Sequence, residues 1–141
     1  MATMMMTKTL HFAAAHRLWS AALSEAENEA TYGRCVRRHG HNYALEVTVK
    51  GPVGGDGMIM DAAVLERAMR AAVVDLVDHH DLDRDVPALG GAVTTGENLA
   101  AAFYQMLARA LPPDRLWRVG VVETENNRFE CGPGAGEGDD R

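Results

Sequence analysis

Two-residue alternation near the start, in the middle and near the end of the chain, interrupted by two stretches of helical spacing, predicts an α+β protein. The expected form is an antiparallel four-stranded sheet with two helices on one face. The alternating stretches are residues 9–16, 39–49 and 116–124, and the helical ones are 61–77 and 95 to the Pro112-Pro113 pair. A glycine-dense turn at 51–57 is the third observation, because it returns the chain into a short additional strand at Met58, Ile59 and Met60.

The first strand places Leu10, Phe12, Ala14 and His16 on one face, an apolar row that ends in an imidazole. Residues 17–34 are mixed and helix-tolerant and form an excursion before the second strand. There Tyr43, Leu45, Val47 and Val49 share the parity of His39 and His41. Asp61 is placed to cap the first helix, whose stripe is Leu65, Met69, Ala72, Val73 and Leu76. Residues 78–91 read as a polar loop. Thr94-Thr95-Gly96-Glu97 fits a capping box with Thr94 as cap and Glu97 reaching back, ahead of a stripe of Leu99, Ala102, Phe103, Met106 and Leu107. The last strand puts Trp117, Val119, Val121 and Glu123 on one face.

The length of 141 residues suits one domain, expected over 1–131, followed by a Gly-rich acidic tail at 132–141 expected to be disordered. A formal net charge of -6 argues against a general nucleic-acid binder, while leaving room for a small anionic substrate at a local basic cluster. No stretch approaches the roughly 20 apolar residues of a membrane span, and the opening residues lack the pattern of a secretory signal. With two cysteines, Cys35 and Cys131, the expected setting is cytoplasmic and reducing, with both thiols free.

Three histidines suggest a site. His39 and His41 stand two apart on a strand, so both rings point to one face, and His16 ends the neighbouring apolar row. Three imidazoles without a Cys-x-x-Cys pattern suit an open metal site rather than a closed structural one. The plain alternatives are a core histidine at position 16 and a solvated strand end for the pair. Cys35 lies four residues before His39, among Arg34, Arg37 and Arg38, which favour a thiolate; it is equally readable as a small buried residue. The arginines are candidates for phosphate binding or simply solvated. Asp78 and His79 are neighbours at a helix end, with His80 an alternative to His79. Glu123 is an acid where the pattern calls for burial, so it needs N–H partners or an exit into solvent.

Together these segments resemble the 6-pyruvoyl-tetrahydropterin synthase family, which includes the 6-carboxytetrahydropterin synthases of the queuosine pathway. The resemblance spans about residues 12–132. It rests on Phe12-Ala13-Ala14-Ala15-His16-Arg17-Leu18, Tyr32-Gly33-Arg34-Cys35, His39-Gly40-His41-Asn42-Tyr43, Gly57-Met58-Ile59-Met60-Asp61, Asp78-His79, Thr95-Gly96-Glu97-Asn98 and Glu123-Thr124-Glu125-Asn126-Asn127. It implies Zn2+ held by His16, His39 and His41, with Cys35 as catalytic thiolate and Asp78 and His79 as its proton relay. Glu123 would anchor a pterin, and Thr95 and Glu97 would lie in the pterin pocket. It also implies the tunnelling fold (T-fold), in which subunits assemble into a β-barrel. The expected assembly is a homohexamer built as a dimer of trimers, with sites between subunits. The implied activity is that of a carbon–oxygen lyase acting on 7,8-dihydroneopterin triphosphate to give 6-pyruvoyl-tetrahydropterin. The alternatives are a 6-carboxy-5,6,7,8-tetrahydropterin synthase releasing acetaldehyde and a pterin-binding protein without catalysis. Two departures stand out. The Cys35-to-His39 spacing is shorter than in animal pyruvoyl enzymes and resembles the carboxy branch, and Gly96 stands where a hydroxylated residue is common.

Overall fold

The computed structural model describes residues 3–133, so the expected tail lies, from residue 134 on, outside the described residues. The fold is α+β, with strands β1 (Met4–His16), β2 (His39–Gly51), β3 (His80–Asp81), β4 (Leu116–Thr124) and β5 (Asn127–Cys131). The helices are α1 (Glu25–Tyr32), α2 (Ala62–Met69), α3 (Asp75–Val77) and α4 (Gly96–Ala110). The strands form one five-stranded sheet in the order β3-β1-β2-β4-β5. No helix among the described residues is long and apolar enough to cross a membrane.

The expectation of four antiparallel strands needs three corrections. Met58, Ile59 and Met60 form no strand; they belong to an irregular connection closed by Gly54 N–H donating to Met58 O (2.8 Å). The chain instead turns back after β4 into β5, paired from Val119↔Cys131 to Thr124↔Asn127. Within the polar loop, β3 pairs parallel to β1, with Ala14 opposite His80 and Ala15 opposite Asp81. A two-residue strand carries no periodicity, so only its partner reveals it.

Alternation predicted the buried face except at Trp117, which is half-buried while Leu116, set opposite Val49 by a register shift, takes the buried place. Leu10, Phe12, Ala14 and His16 of β1, Tyr43, Leu45, Val47 and Val49 of β2, and Val119 and Val121 of β4 are all buried. They pack against Leu65, Met69 and Val73 from the first helical segment and Leu99, Phe103 and Leu107 from α4. Phe12 stacks on Tyr43 at 4.9 Å and meets Phe103 edge-on at 6.1 Å. Burial of each such side chain contributes about 1.5–3 kcal/mol. The opposite face is uncovered by helices, and Thr7, Thr9, His11 and Asn42 on it are exposed.

Asp61 caps α2 as expected, accepting from Ala63 N–H at 2.8 Å. The stripe then departs from expectation, because Leu76 is 45% exposed and Val77 is fully buried. A π-helical turn at Arg70–Val74 joins α2 to α3 and widens the repeat, so Leu65, Met69, Val73 and Val77 line up at intervals of four. The excursion before β2 contains α1, fixed by a capping box in which Ser24 Oγ accepts from Glu27 N–H and Glu27 accepts from Ser24 N–H.

Candidate functional site

The register of β1 on β2 builds an imidazole cluster. His16 lies opposite His39 and Ala14 opposite His41, which puts His16, His39 and His41 on the core face at the end of the sheet. Their ring centroids are 4.6–5.1 Å apart, and one nitrogen from each ring lies within 4.8 Å of the others. Tyr43, fully buried, forms the floor. Its hydroxyl sits 3.4 Å from His16 Nε2, and burial pushes its pKa up.

Hydrogen bonds fix the tautomers. A backbone carbonyl can only accept, so Nδ1 of His16 donates to Thr94 O (3.0 Å) and Nδ1 of His39 donates to Arg37 O (2.7 Å). A neutral ring in either position therefore presents Nε2 as a lone pair. His41 Nε2 is buried and has no hydrogen-bond partner among the described residues. Burial, then the neighbouring His39, lowers the pKa of His16; burial also lowers that of His41, against an opposing pull from Glu123. Neutral imidazoles are what a metal ion requires. The 3.7 Å approach of Glu123 to His41 Nε2 is accordingly not an ion pair at neutral pH. An orphaned buried nitrogen beside two preset lone pairs fits a divalent ion of the zinc type, so this group could hold a metal.

Beside the cluster lies a cavity of about 490 Å³ lined by Arg34, Cys35, Arg37, His39, His41, Glu123 and Thr124. Cys35 arrives on a 3₁₀ turn (Gly33–Val36) directly after α1, so the short Cys35-to-His39 spacing still brings the thiol to the same opening. One backbone bond ties this turn to the segment just after β1, and a local side-chain cluster closes the loop before it. Cys35 O accepts from Leu18 N–H (2.8 Å), and the buried Asn28 closes the excursion with its Nδ2 donating to Ser20, Leu23 and Ser24 carbonyls. Both cysteines are free. Arg38 faces elsewhere, paired with Asp81 and Asp83.

Other expected site residues lie apart from this cavity. His79 lines a second cavity of about 480 Å³ with Ala13, Gly40, Asn42 and His80. Its Nδ1 is 2.9 Å from Asp78 Oδ1, whereas His80 Nδ1 donates to Asp78 O. Asp78 Oδ1 also accepts from Ala13 N–H (3.0 Å), and this bond chiefly, with His79, holds its carboxyl below the usual range. His79 N–H donates back to Ala13 O, and the residue adopts φ 61°. His41 lines both cavities, but Asp78 and His79 are not on the wall of the one that holds Cys35.

Thr94 is not the helix cap. Thr95 is, accepting from Asn98 N–H at 3.2 Å, while the Thr94 side chain turns inward, donating to Asp83 Oδ1 at 2.7 Å. Glu97 is exposed, makes no capping bond, and like Thr95 lies outside the Cys35 cavity lining. The glycine at position 96 has a steric reason: a Cβ there would fall into the Phe129 ring, 2.6 Å from its Cγ. In the sequence Thr94 reads as a helix cap and Tyr43 as a core residue, and neither these two nor Asp83 reads as part of the site. Parity with His41 is the available clue for Tyr43, whereas the link from Thr94 and Asp83 to His16 spans 78 and 67 positions and leaves no local signal.

The family model for 6-pyruvoyl tetrahydropterin synthase matches residues 5–133. The chain is 44% identical over 126 residues to the 6-pyruvoyl tetrahydrobiopterin synthase of Dictyostelium discoideum, covering 89% of this chain and 93% of that protein. It is 30% identical over 129 residues to the 6-carboxy-5,6,7,8-tetrahydropterin synthase of Aquifex aeolicus, covering 74% and 79%. The solved 6-pyruvoyl tetrahydropterin synthase of Caenorhabditis elegans superposes with a TM-score of 0.89 at 38% identity, covering 94% of this chain and 96% of that one. On the match across nearly its whole length, the chain belongs to the 6-pyruvoyl tetrahydropterin synthase family.

Proposed function

We propose that this chain is a zinc-dependent lyase that converts 7,8-dihydroneopterin triphosphate to 6-pyruvoyl-tetrahydropterin with loss of triphosphate. The observation that carries the proposal is the meeting of a thiol, a carboxyl group and two imidazoles, Cys35, Glu123, His39 and His41, around one cavity. His16, His39 and His41 would hold the ion, which supplies Lewis acidity toward the substrate's side-chain hydroxyls. Glu123 accepts two hydrogen bonds from the amino group and ring N–H of a pterin and so orients the ring. Cys35 takes a side-chain proton as general base. Arg34 and Arg37, on the same cavity wall, are placed to meet phosphate oxygens. Thr95 and Glu97 have no part in this arrangement within a single chain.

Asp78 and His79 complete the relay only if another copy supplies them. The absence of Asp78 and His79 from the wall of the Cys35 cavity and the uncovered sheet face both support sites formed between subunits of a homohexamer. The greater identity to the pyruvoyl relative than to the carboxy relative supports the pyruvoyl product. One observation favours the carboxy product, namely the short Cys35-to-His39 spacing. Mass spectrometry of products from zinc-loaded protein and 7,8-dihydroneopterin triphosphate tests the proposal. A 6-pyruvoyl product is expected. A 6-carboxy product with acetaldehyde would replace the assignment, and bound but unreacted substrate would make the chain a pterin binder.

A further inference from the structure

His16 differs from the other two histidines in what orients it. His39 bonds to a carbonyl two residues away, whereas His16 is held by Thr94, 78 positions along the chain. Thr94 is itself 2% exposed and held in turn. Its hydroxyl is 2.7 Å from Asp83 Oδ1 and 3.4 Å from Arg17 O, and the shorter, charge-assisted bond takes the single proton. With that proton committed, both Thr94 O (3.0 Å) and Thr94 Oγ1 (3.2 Å) are acceptors for His16 Nδ1–H. The other carboxylate oxygen, Asp83 Oδ2, accepts from Arg17 N–H (2.8 Å) and from Arg38 Nη1 (3.2 Å). Arg17 follows His16 on β1, and Arg38 precedes His39 on β2. One carboxylate thus ties together the two strand ends that carry the imidazoles and the segment that orients one of them.

We infer that Asp83, acting through Thr94, is a positioning residue for the metal centre: it fixes the tautomer and ring angle of His16 so that Nε2 faces the ion. The inference rests on the proposed metal-binding role of the three histidines. The arrangement is a carboxylate–histidine pair with a threonine inserted between the two partners. Such outer partners raise the basicity of the ligating imidazole and restrict its rotation, and their loss weakens metal binding by about 10- to 100-fold. Phe12, Tyr43 and the apolar core hold the sheet itself, so removal of the Thr94 hydroxyl leaves the fold in place.

The test is zinc affinity of the full chain by competition with a chromophoric chelator, together with the visible ligand-field spectrum of the cobalt-substituted protein. The thermal midpoint of each metal-free variant is measured alongside. Thr94→Val and Asp83→Ala are expected to bind zinc about 10- to 100-fold more weakly and to shift the cobalt bands. Thr94→Ser, which keeps the hydroxyl, restores both. A purely structural role would lower the metal-free midpoint without moving the cobalt spectrum. If Asp83→Ala does not fold, the contrast between Thr94→Val and Thr94→Ser decides. Equal zinc affinity and superimposable cobalt spectra for Thr94→Val and the unchanged protein would overturn the inference while leaving the metal site standing. An unchanged protein that binds no zinc would overturn both.

Discussion

Replacing Gly96 by alanine isolates a contact that helix rules alone would misjudge. Gly96 is the first residue of α4 and is buried, and the Phe129 ring of β5 occupies the space a Cβ would need. Ring atoms as close to the backbone as Cγ are involved, so the whole ring must swing rather than merely tilt. Overpacking of this kind costs about 1–3 kcal/mol. Against it stands the gain of up to about 1 kcal/mol for alanine over glycine in a helix, smaller in the first turn. The expected net loss is about 1–2 kcal/mol, a fall in thermal midpoint of roughly 3–8 °C for a chain of this size. Urea unfolding at one fixed protomer concentration should compare the unchanged protein, Gly96→Ala, Phe129→Ala and the double variant. The coupling between the sites should reach about 1 kcal/mol, with the double variant no less stable than Phe129→Ala alone. A Gly96→Ala protein as stable as the parent would refute the steric argument and return position 96 to ordinary helix propensity.

Two further predictions concern the site. His39→Ala should lose bound metal while Cys35→Ala keeps it and loses turnover, as read by metal analysis and a product assay on the same samples; active Cys35→Ala protein removes that thiol from the mechanism. The metal-free protein should also weaken in acid. His16 and His41 have folded pKa values below the ordinary 6.5 because burial penalises their charged forms. Above pH 6.5 both folded and unfolded chains hold these rings neutral, and the shift contributes nothing to the pH dependence. As pH falls through 6.5 the unfolded chain takes up protons first, so stability declines until the folded values are passed. A urea midpoint unchanged between pH 7.5 and pH 5.5, after treatment with a chelator, would contradict this.

Local stereochemistry made part of this protein legible without coordinates. Side chains alternate along a strand, so the burial of Leu10, Phe12 and Ala14, the shared direction of His39 and His41, and the lone acid at Glu123 all follow from parity. The Asp61 cap follows from the same kind of short-range rule. What the tertiary structure decided depends on registers and contacts between distant segments. The pairing of β1 with β2 sets His16 opposite His39, and β4 beside β2 brings Glu123 to within reach of His41. Tertiary contacts moved the α4 cap from Thr94 to Thr95, since the Thr94 side chain turns inward to Asp83, eleven residues away, and to His16. A π turn exchanged Leu76 for Val77 on the buried face, and two bonds to Ala13 set Asp78 and His79 beside β1, away from Cys35. Periodicity encodes which way a side chain points; which partner it meets is fixed only when long-range hydrogen bonds and packing choose one register among several that the same pattern allows.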